Sequence, residues 1–125
     1  MNKKHIYIYN GQQENLLTIS LLLTKSGYRV SAIKDSIEFY QKIMAIKADP
    51  KKIDLIIINF STSNFSHLKI IEEIEKKRID LPIFFLGDFF DEEVEELKEK
   101  KNIKLIQIPF KPSELLDYIK KALKS

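Results

Sequence analysis

Apolar and polar residues follow two rhythms along this chain, and the rhythms take turns. Ile6-Tyr7-Ile8-Tyr9 is a short β-rich run closed by Asn10-Gly11. Glu14 to Ser26 has helical spacing and ends at Gly27, a residue suited to a helix C-cap. Tyr28 to Ile33 reads as a second strand. Asp35-Ser-Ile-Glu38 has capping-box spacing. Behind it Ile37, Tyr40, Ile43, Met44 and Lys47 fall at helical intervals until Pro50. Asp54-Leu-Ile-Ile-Ile-Asn59 is a continuous apolar run, as expected of a strand covered on both faces. Phe60 to Phe65 is a loop. Ser66 to Lys77 is a third helix with Leu68, Ile71 and Ile74 on one stripe. Pro82 to Leu86 is a fourth strand and Asp91 to Lys101 a fourth helix. Lys104 to Ile108 is a fifth strand, and Pro112 to Leu123 a fifth helix with proline in its first turn.

Strands alternating with helices through short connections predict a parallel sheet covered on both faces. The expected architecture is α/β: a doubly wound, five-stranded parallel sheet of order 2-1-3-4-5, a flavodoxin-like three-layer sandwich. At 125 residues the chain is expected to be a single domain over 1–125. Chemistry in such sheets sits at the carboxyl ends of the strands. That directs attention to Asn10, Gly11, Asn59, Phe60, Gly87, Asp88, Ile108 and Pro109.

Composition removes several classes of function. There is no cysteine, so disulfides, thiolate zinc sites and a cysteine nucleophile are excluded. Only His5 and His67 carry imidazole, which excludes a multi-histidine metal site; both read as surface residues. The 21 Lys and Arg are interspersed with 18 Asp and Glu, and the net charge is +3. No basic block is dense enough to suggest direct nucleic-acid or membrane binding. The apolar run Ile6 to Tyr9 is too short for a signal peptide, and Leu55 to Ile58 is far below a membrane span. A cytoplasmic protein is expected.

The predicted carboxyl edge is poor in reactive groups. Gly11 stands alone, so Asn10-Gly11-Gln12-Gln13 is not a glycine-rich phosphate loop. Asn59, Gly87, Ile108 and Pro109 include neither a nucleophile nor a general base. Asp88 and Asp91 read as solvated turn and cap residues. No enzymatic activity and no cofactor are expected.

Over essentially its whole length the chain resembles the receiver (CheY-like) domains of bacterial response regulators. The likeness runs from Ile6 to Gly27-Tyr28, through Asp54-Leu-Ile-Ile-Ile-Asn59 and Leu81-Pro-Ile-Phe-Phe-Leu86, to Ile108-Pro-Phe-Lys-Pro-Ser-Glu-Leu-Leu116. A Pro-Phe step between the last strand and last helix is characteristic of that family. Receivers move a phosphoryl group onto a carboxylate at the end of strand 3, with an acidic pair after strand 1 holding Mg²⁺, a Ser/Thr after strand 4 and a lysine before the last strand's proline. In this chain the acidic pair falls on Asn10 and Gly11, the acceptor on Asn59, the hydroxyl on Gly87 and the lysine on Ile108. The aromatic switch position falls on Leu105. Pro109 is expected to follow a cis peptide bond.

All the functional positions thus depart from the pattern. An amide is not an anionic nucleophile, and Mg²⁺ prefers charged oxygens. The resemblance therefore implies a degenerate pseudo-receiver: a phosphorylation-independent regulatory module in two-component signalling or transcription control. Its expected partner is a second copy or another signalling protein. A narrower likeness, in Leu81-Pro-Ile-Phe-Phe-Leu-Gly-Asp88 and in Pro109 preceded by a non-lysine, is to the N-terminal domain of FleQ/FlrA-type σ54-dependent activators. Those carry AAA+ and DNA-binding modules downstream, which would follow this domain in a longer chain. A stand-alone adaptor and a small-ligand sensor using a neutral pocket at Asn10, Asn59 and Gly87 are the alternatives.

If phosphate is not the signal, surfaces are the remaining candidates. Leu116, Ile119 and Leu123 have the 3-4 spacing that begins a coiled coil, or that buries a helix on a sheet. Phe89-Phe90 either folds over the vacated pocket or anchors a partner. Leu17 and Leu21 lie off the arc shared by Leu16, Ile19, Leu22 and Leu23, either as a docking patch or as ordinary surface leucines. The fourth helix, with few apolar groups, is expected to hold by local charge.

Overall fold

Every apolar run expected to be a strand is one: β1 (His5–Tyr9), β2 (Arg29–Ile33), β3 (Leu55–Asn59), β4 (Ile83–Gly87) and β5 (Ile103–Gln107). Among the described residues three full helices accompany them, α1 (Gln13–Lys25), α2 (Ser36–Ala45) and α3 (Pro112–Leu123), with a 3-10 turn at Glu96–Glu99. The computed structural model describes residues 3–9, 13–45, 53–59, 76, 81–87, 95–100 and 102–123. The expected third helix, apart from helical Lys76, lies outside these residues, as does the Phe60–Phe65 loop.

The strands form one parallel sheet in the order β2-β1-β3-β4-β5, as expected. Side chains alternate between its faces. In one register row Ile33, Tyr9, Ile58 and Phe85 stand side by side and pack with Phe39 and Ile43 of α2. The adjacent row places Ile8, Ile57 and Phe84 on the other face, in a cluster with Leu23 of α1 and with Leu115 and Ile119 of α3. β3 and β4 are buried throughout. Each isoleucine or leucine so buried is worth about 1.5–3 kcal/mol of transfer free energy.

The punctuation acts as its chemistry dictates. Gly27 adopts φ +96°, and its N–H donates to the Thr24 carbonyl while Tyr28 N–H donates to Leu23, both at 3.1 Å. This is a Schellman stop for α1. Asp35 caps α2: its Oδ2 accepts from Glu38 N–H at 3.2 Å and its carbonyl from Phe39 N–H at 3.0 Å. Pro112 opens α3, where Glu114 N–H donates to the Lys111 carbonyl at 2.9 Å.

Several expectations need correction. β4 ends at Gly87 and β5 at Gln107, so Gly87 belongs to a strand and Ile108 follows one. β2 begins at Arg29, because Tyr28 N–H is consumed by the stop of α1. The buried face of α2 is Phe39 with Ile43, whereas Ile37 and Met44 are exposed; the stacking of Tyr9 on Phe39, with ring centroids 4.9 Å apart, selects that face. The fourth helix does not run to Lys101 as an α-helix. Its described part tightens to the 3-10 turn, and the Lys100 carbonyl accepts from Ile103 N–H at 3.2 Å, which turns the chain into β5.

Candidate functional site

The carboxyl ends of β3, β4 and β5 meet at one edge of the sheet. Asn59, last residue of β3, pairs in register with Leu86, and Leu86 with Ile106. Beyond β5 the Ile108 N–H still donates to the Gly87 carbonyl at 2.9 Å. Ile108 is thereby fixed against the end of β4, on the face that carries α1 and α3. The Ile108–Pro109 bond is cis, as expected, and the chain turns there through Phe110 into α3.

These residues enclose a cleft of about 250 Å³. Thr18, Ile19 and Leu22 of α1 form one wall. The turn from Ile108 to Phe110, with Pro112, forms the other, and Asn59 lies at the strand end between them. Asn59 is 3% exposed and is the one buried polar side chain among the described residues. It has an interaction partner within the chain. The described lining contains no charged side chain. None of the described lining residues is a nucleophilic anion or a cation that could meet a phosphate.

The structure brings Asn59, Ile108 and Pro109 to one cleft, with Gly87 hydrogen-bonded to Ile108 beside it. Leu105 points to the opposite face, half-buried among the residues packed under α2. Asn10, Gly11, Phe89 and Phe90 lie outside the described residues, as do Asp88, Asp91 and His67. Of the surface candidates, Leu17 and Leu21 are 53% and 60% exposed on the outer side of α1. Leu116 and Leu123 are half-buried against the core. Ile119 is fully buried, so it is a core residue and not part of a docking stripe. The helix turns Leu115 and Ile119 inward, one turn apart, and Leu116 to its flank.

Some of the site escapes sequence reasoning. Thr18 and Phe110 line the cleft, yet neither stands at a strand end. Ile37 and Met44 are further exposed apolar residues, read from sequence only as members of a helical stripe. At the amino edge, His5 is half-buried and not a free surface residue. Its backbone N–H donates to Asp54 Oδ2 at 2.8 Å, and its ring Nε2 shares a 2.7 Å hydrogen bond with Ser31 Oγ. Beside it, burial pushes the Tyr7 hydroxyl above its ordinary pKa of 10.0, opposed by the positive charge of Arg29.

No family model matches the chain, and no curated protein matches it significantly. Solved structures do match in shape. A CheY-like receiver domain from Methanospirillum hungatei superposes with a TM-score of 0.81 at 20% identity, over 98% of this chain and 94% of that one. A receiver domain from Clostridium thermocellum gives 0.78 at 21% identity, over 96% and 94%. A chemotaxis protein of Vibrio cholerae gives 0.77 at 20% identity, over 98% and 100%. The likeness covers the sheet order as well as the size. The fold of this chain is the CheY-like, flavodoxin-type fold of response-regulator receiver domains.

Proposed function

We propose that the chain is a non-catalytic regulatory module of the receiver fold, acting in signal transduction or transcription control by protein–protein contact, chiefly self-association, without accepting a phosphoryl group. The observation that carries this reading is that Asn59 and Ile108 line the same cleft at the carboxyl edge. Asn59 occupies the position of the phosphoryl acceptor, and its amide nitrogen and oxygen carry no net charge with which to attack phosphorus. Ile108 occupies the position of the lysine that would neutralise the phosphoryl oxygens.

The residues do not fit Mg²⁺ either. That ion binds through carboxylates and water in near-octahedral geometry, and the three positions that would provide carboxylates hold Asn10, Gly11 and Asn59. A carboxylate cluster without metal suffers like-charge repulsion; this edge has no such cost, which suits a module held permanently in one state. The likeness of Leu81 to Asp88 and of Pro109 to FleQ/FlrA-type activators supports a place in transcription control, and the reading places the protein in the cytoplasm.

For the contact surface, the outer side of α1 is the strongest patch among the described residues. Leu17 and Leu21 are successive turns of one helix and both more than half exposed. Two leucines one turn apart form a self-complementary ridge for a two-fold pairing of α1 with α1.

Sedimentation velocity over a wide concentration range, with and without Mg²⁺ and beryllofluoride, tests the proposal. A dimer indifferent to both additives is expected. A change of mass or shape with beryllofluoride would overturn the reading of the pocket. A monomer at all concentrations would overturn self-association in favour of docking on a different signalling protein.

A further inference from the structure

We infer that the groove between β5 and α3, at the amino end of the sheet, is a binding site for a small organic anion with a flat apolar body, such as an aromatic carboxylate. This goes beyond the regulatory reading and does not depend on how the chain self-associates. The charge, the floor and the rigidity of the groove each bear on the ligand.

Two ammonium groups reach the groove from different elements: Lys104 from β5 and Lys121 from the last turn of α3. Among the described residues neither is paired with a carboxylate. Lys104 Nζ instead stands 4.1 Å from the centre of the Tyr118 ring. That contact holds the ammonium over a ring face and uses one side of it, so N–H donors remain for an anion. Lys121 follows Tyr118 by three residues, which puts both on one side of α3. A carboxylate in the groove therefore meets a cation from each wall.

The floor is apolar. Pro82, Phe84, Ile103 and Ala122 line it, and the groove has a volume of about 370 Å³. Pockets for small molecules run to about 300–1,000 Å³, so a body of one or two fused rings fits. A ring on this floor covers apolar atoms while its carboxylate stays beside the lysines. An inorganic anion uses the lysines alone, and a neutral ring the floor alone. Only a ligand with both parts uses the whole groove.

The groove is also preformed. Asn102 Nδ2 donates to the Leu81 carbonyl at 3.0 Å, and Ile83 N–H donates to the Asn102 carbonyl at 2.7 Å. These bonds tie the entry of β5 to the entry of β4. Leu115 and Ile119 anchor α3 on the sheet face that carries Phe84. Little ordering is then needed on binding.

The test is an amide-resolved NMR titration of the full chain with naphthoate, naphthylmethanol and inorganic phosphate, which separates ring from charge. Naphthoate is expected to shift the amides of Asn102, Lys104, Tyr118 and Ala122 saturably. It is expected to bind about tenfold more tightly than the alcohol or phosphate, as charge contacts at two partly exposed lysines allow. The double variant Lys104→Gln/Lys121→Gln is expected to lose that preference over the alcohol and to leave the alcohol's affinity unchanged. Four results would overturn the inference: no saturable shift at the groove with naphthoate, equal binding of the alcohol, equal binding of phosphate, or an unchanged preference in the double variant. The first three are read on the parent chain, so they decide the matter even if the double variant loses spectral dispersion.

Discussion

Asn59 differs from an aspartate by an NH₂ in place of an oxygen, and the surroundings decide what that exchange is worth. The side chain is almost completely buried, and no cation lines the cleft among the described residues. A carboxylate there is desolvated without compensation, which raises its pKa in the folded state. N59D is therefore expected to be destabilised by roughly 1–3 kcal/mol at pH 7. For an acid with a raised folded pKa, folding favours the protonated form. The gap to the parent should be small below about pH 4, the ordinary aspartate value, and widen as pH rises; urea denaturation at several pH values measures it. Intact mass after incubation with acetyl phosphate and Mg²⁺ should show no added phosphoryl group, because Ile108 offers no charge to the phosphoryl oxygens. Tyr7 provides the alkaline counterpart. Burial raises its hydroxyl pKa above 10.0, so the folded state holds that proton more tightly than the unfolded state. Its contribution is fully present below pH 10.0 and is lost as pH rises through the folded value. Y7F should abolish that part of the alkaline decline, visible as a shallower fall of Tm above pH 10 than in the parent. At this scale Asn59 and Gly87 are legible in the sequence because each closes an apolar run. Ile108 is legible through the Pro-Phe step that follows it. Thr18 is not, since helical spacing cannot say which flank of α1 meets a turn from the far end of the chain.

Among elements, α2 shows where local signals suffice and where they fail. Its start is written locally: Asp35 and Glu38 have the spacing of a capping box, and the Asp35 carboxylate does accept from the Glu38 amide. D35A is expected to cost about 1 kcal/mol, read as a lower urea midpoint with an unchanged slope. Its inward face is not written locally. Apolar residues at Ile37, Phe39, Tyr40, Ile43 and Met44 surround much of the helix, so several stripes have helical spacing. Tertiary packing chooses among them: the Tyr9 ring stands in β1 under α2 and stacks on Phe39, which leaves Ile37 and Met44 outside. The same ambiguity affects α3, whose limits the sequence predicts to the residue. There the stripe Leu116, Ile119, Leu123 competes with Leu115 and Ile119, and burial on the sheet selects the second. The strand limits shift by a single residue for another reason. In β4 the apolar run stops at Leu86, one residue before the strand does, and in β5 Ile108 resumes it beyond Gln107, so hydropathy does not mark where the ladder ends; the hydrogen bond from Ile108 to Gly87 does.

Across the whole molecule, the sheet order is the most legible property, since alternating strands and helices leave few ways to cover both faces. The edge chemistry is legible by elimination, and the cleft volume only from coordinates. What the architecture leaves open is the use of its apolar exterior, and among the described residues two helices divide it. On α1 the exposed leucines 17 and 21 are neighbours on successive turns; on α2 Ile37 and Met44 are seven residues, about 10 Å of helix, apart. Only the first is contiguous enough to be covered by a single helix of a second copy. In a two-fold contact each substitution acts twice, so L17S/L21S removes four leucines from the interface. Burial of one leucine is worth about 1.5–3 kcal/mol, and about 2.8 kcal/mol already corresponds to a hundredfold change in Kd. The double variant is therefore expected to weaken dimerisation at least a hundredfold in sedimentation velocity. Its own folding should stay within about 0.5 kcal/mol of the parent, as for substitutions on an exposed surface. I37S/M44S should leave the dimer intact. A dimer that survives L17S/L21S and dissociates in I37S/M44S would move the contact to α2, on the opposite face of the sheet from the Asn59 cleft.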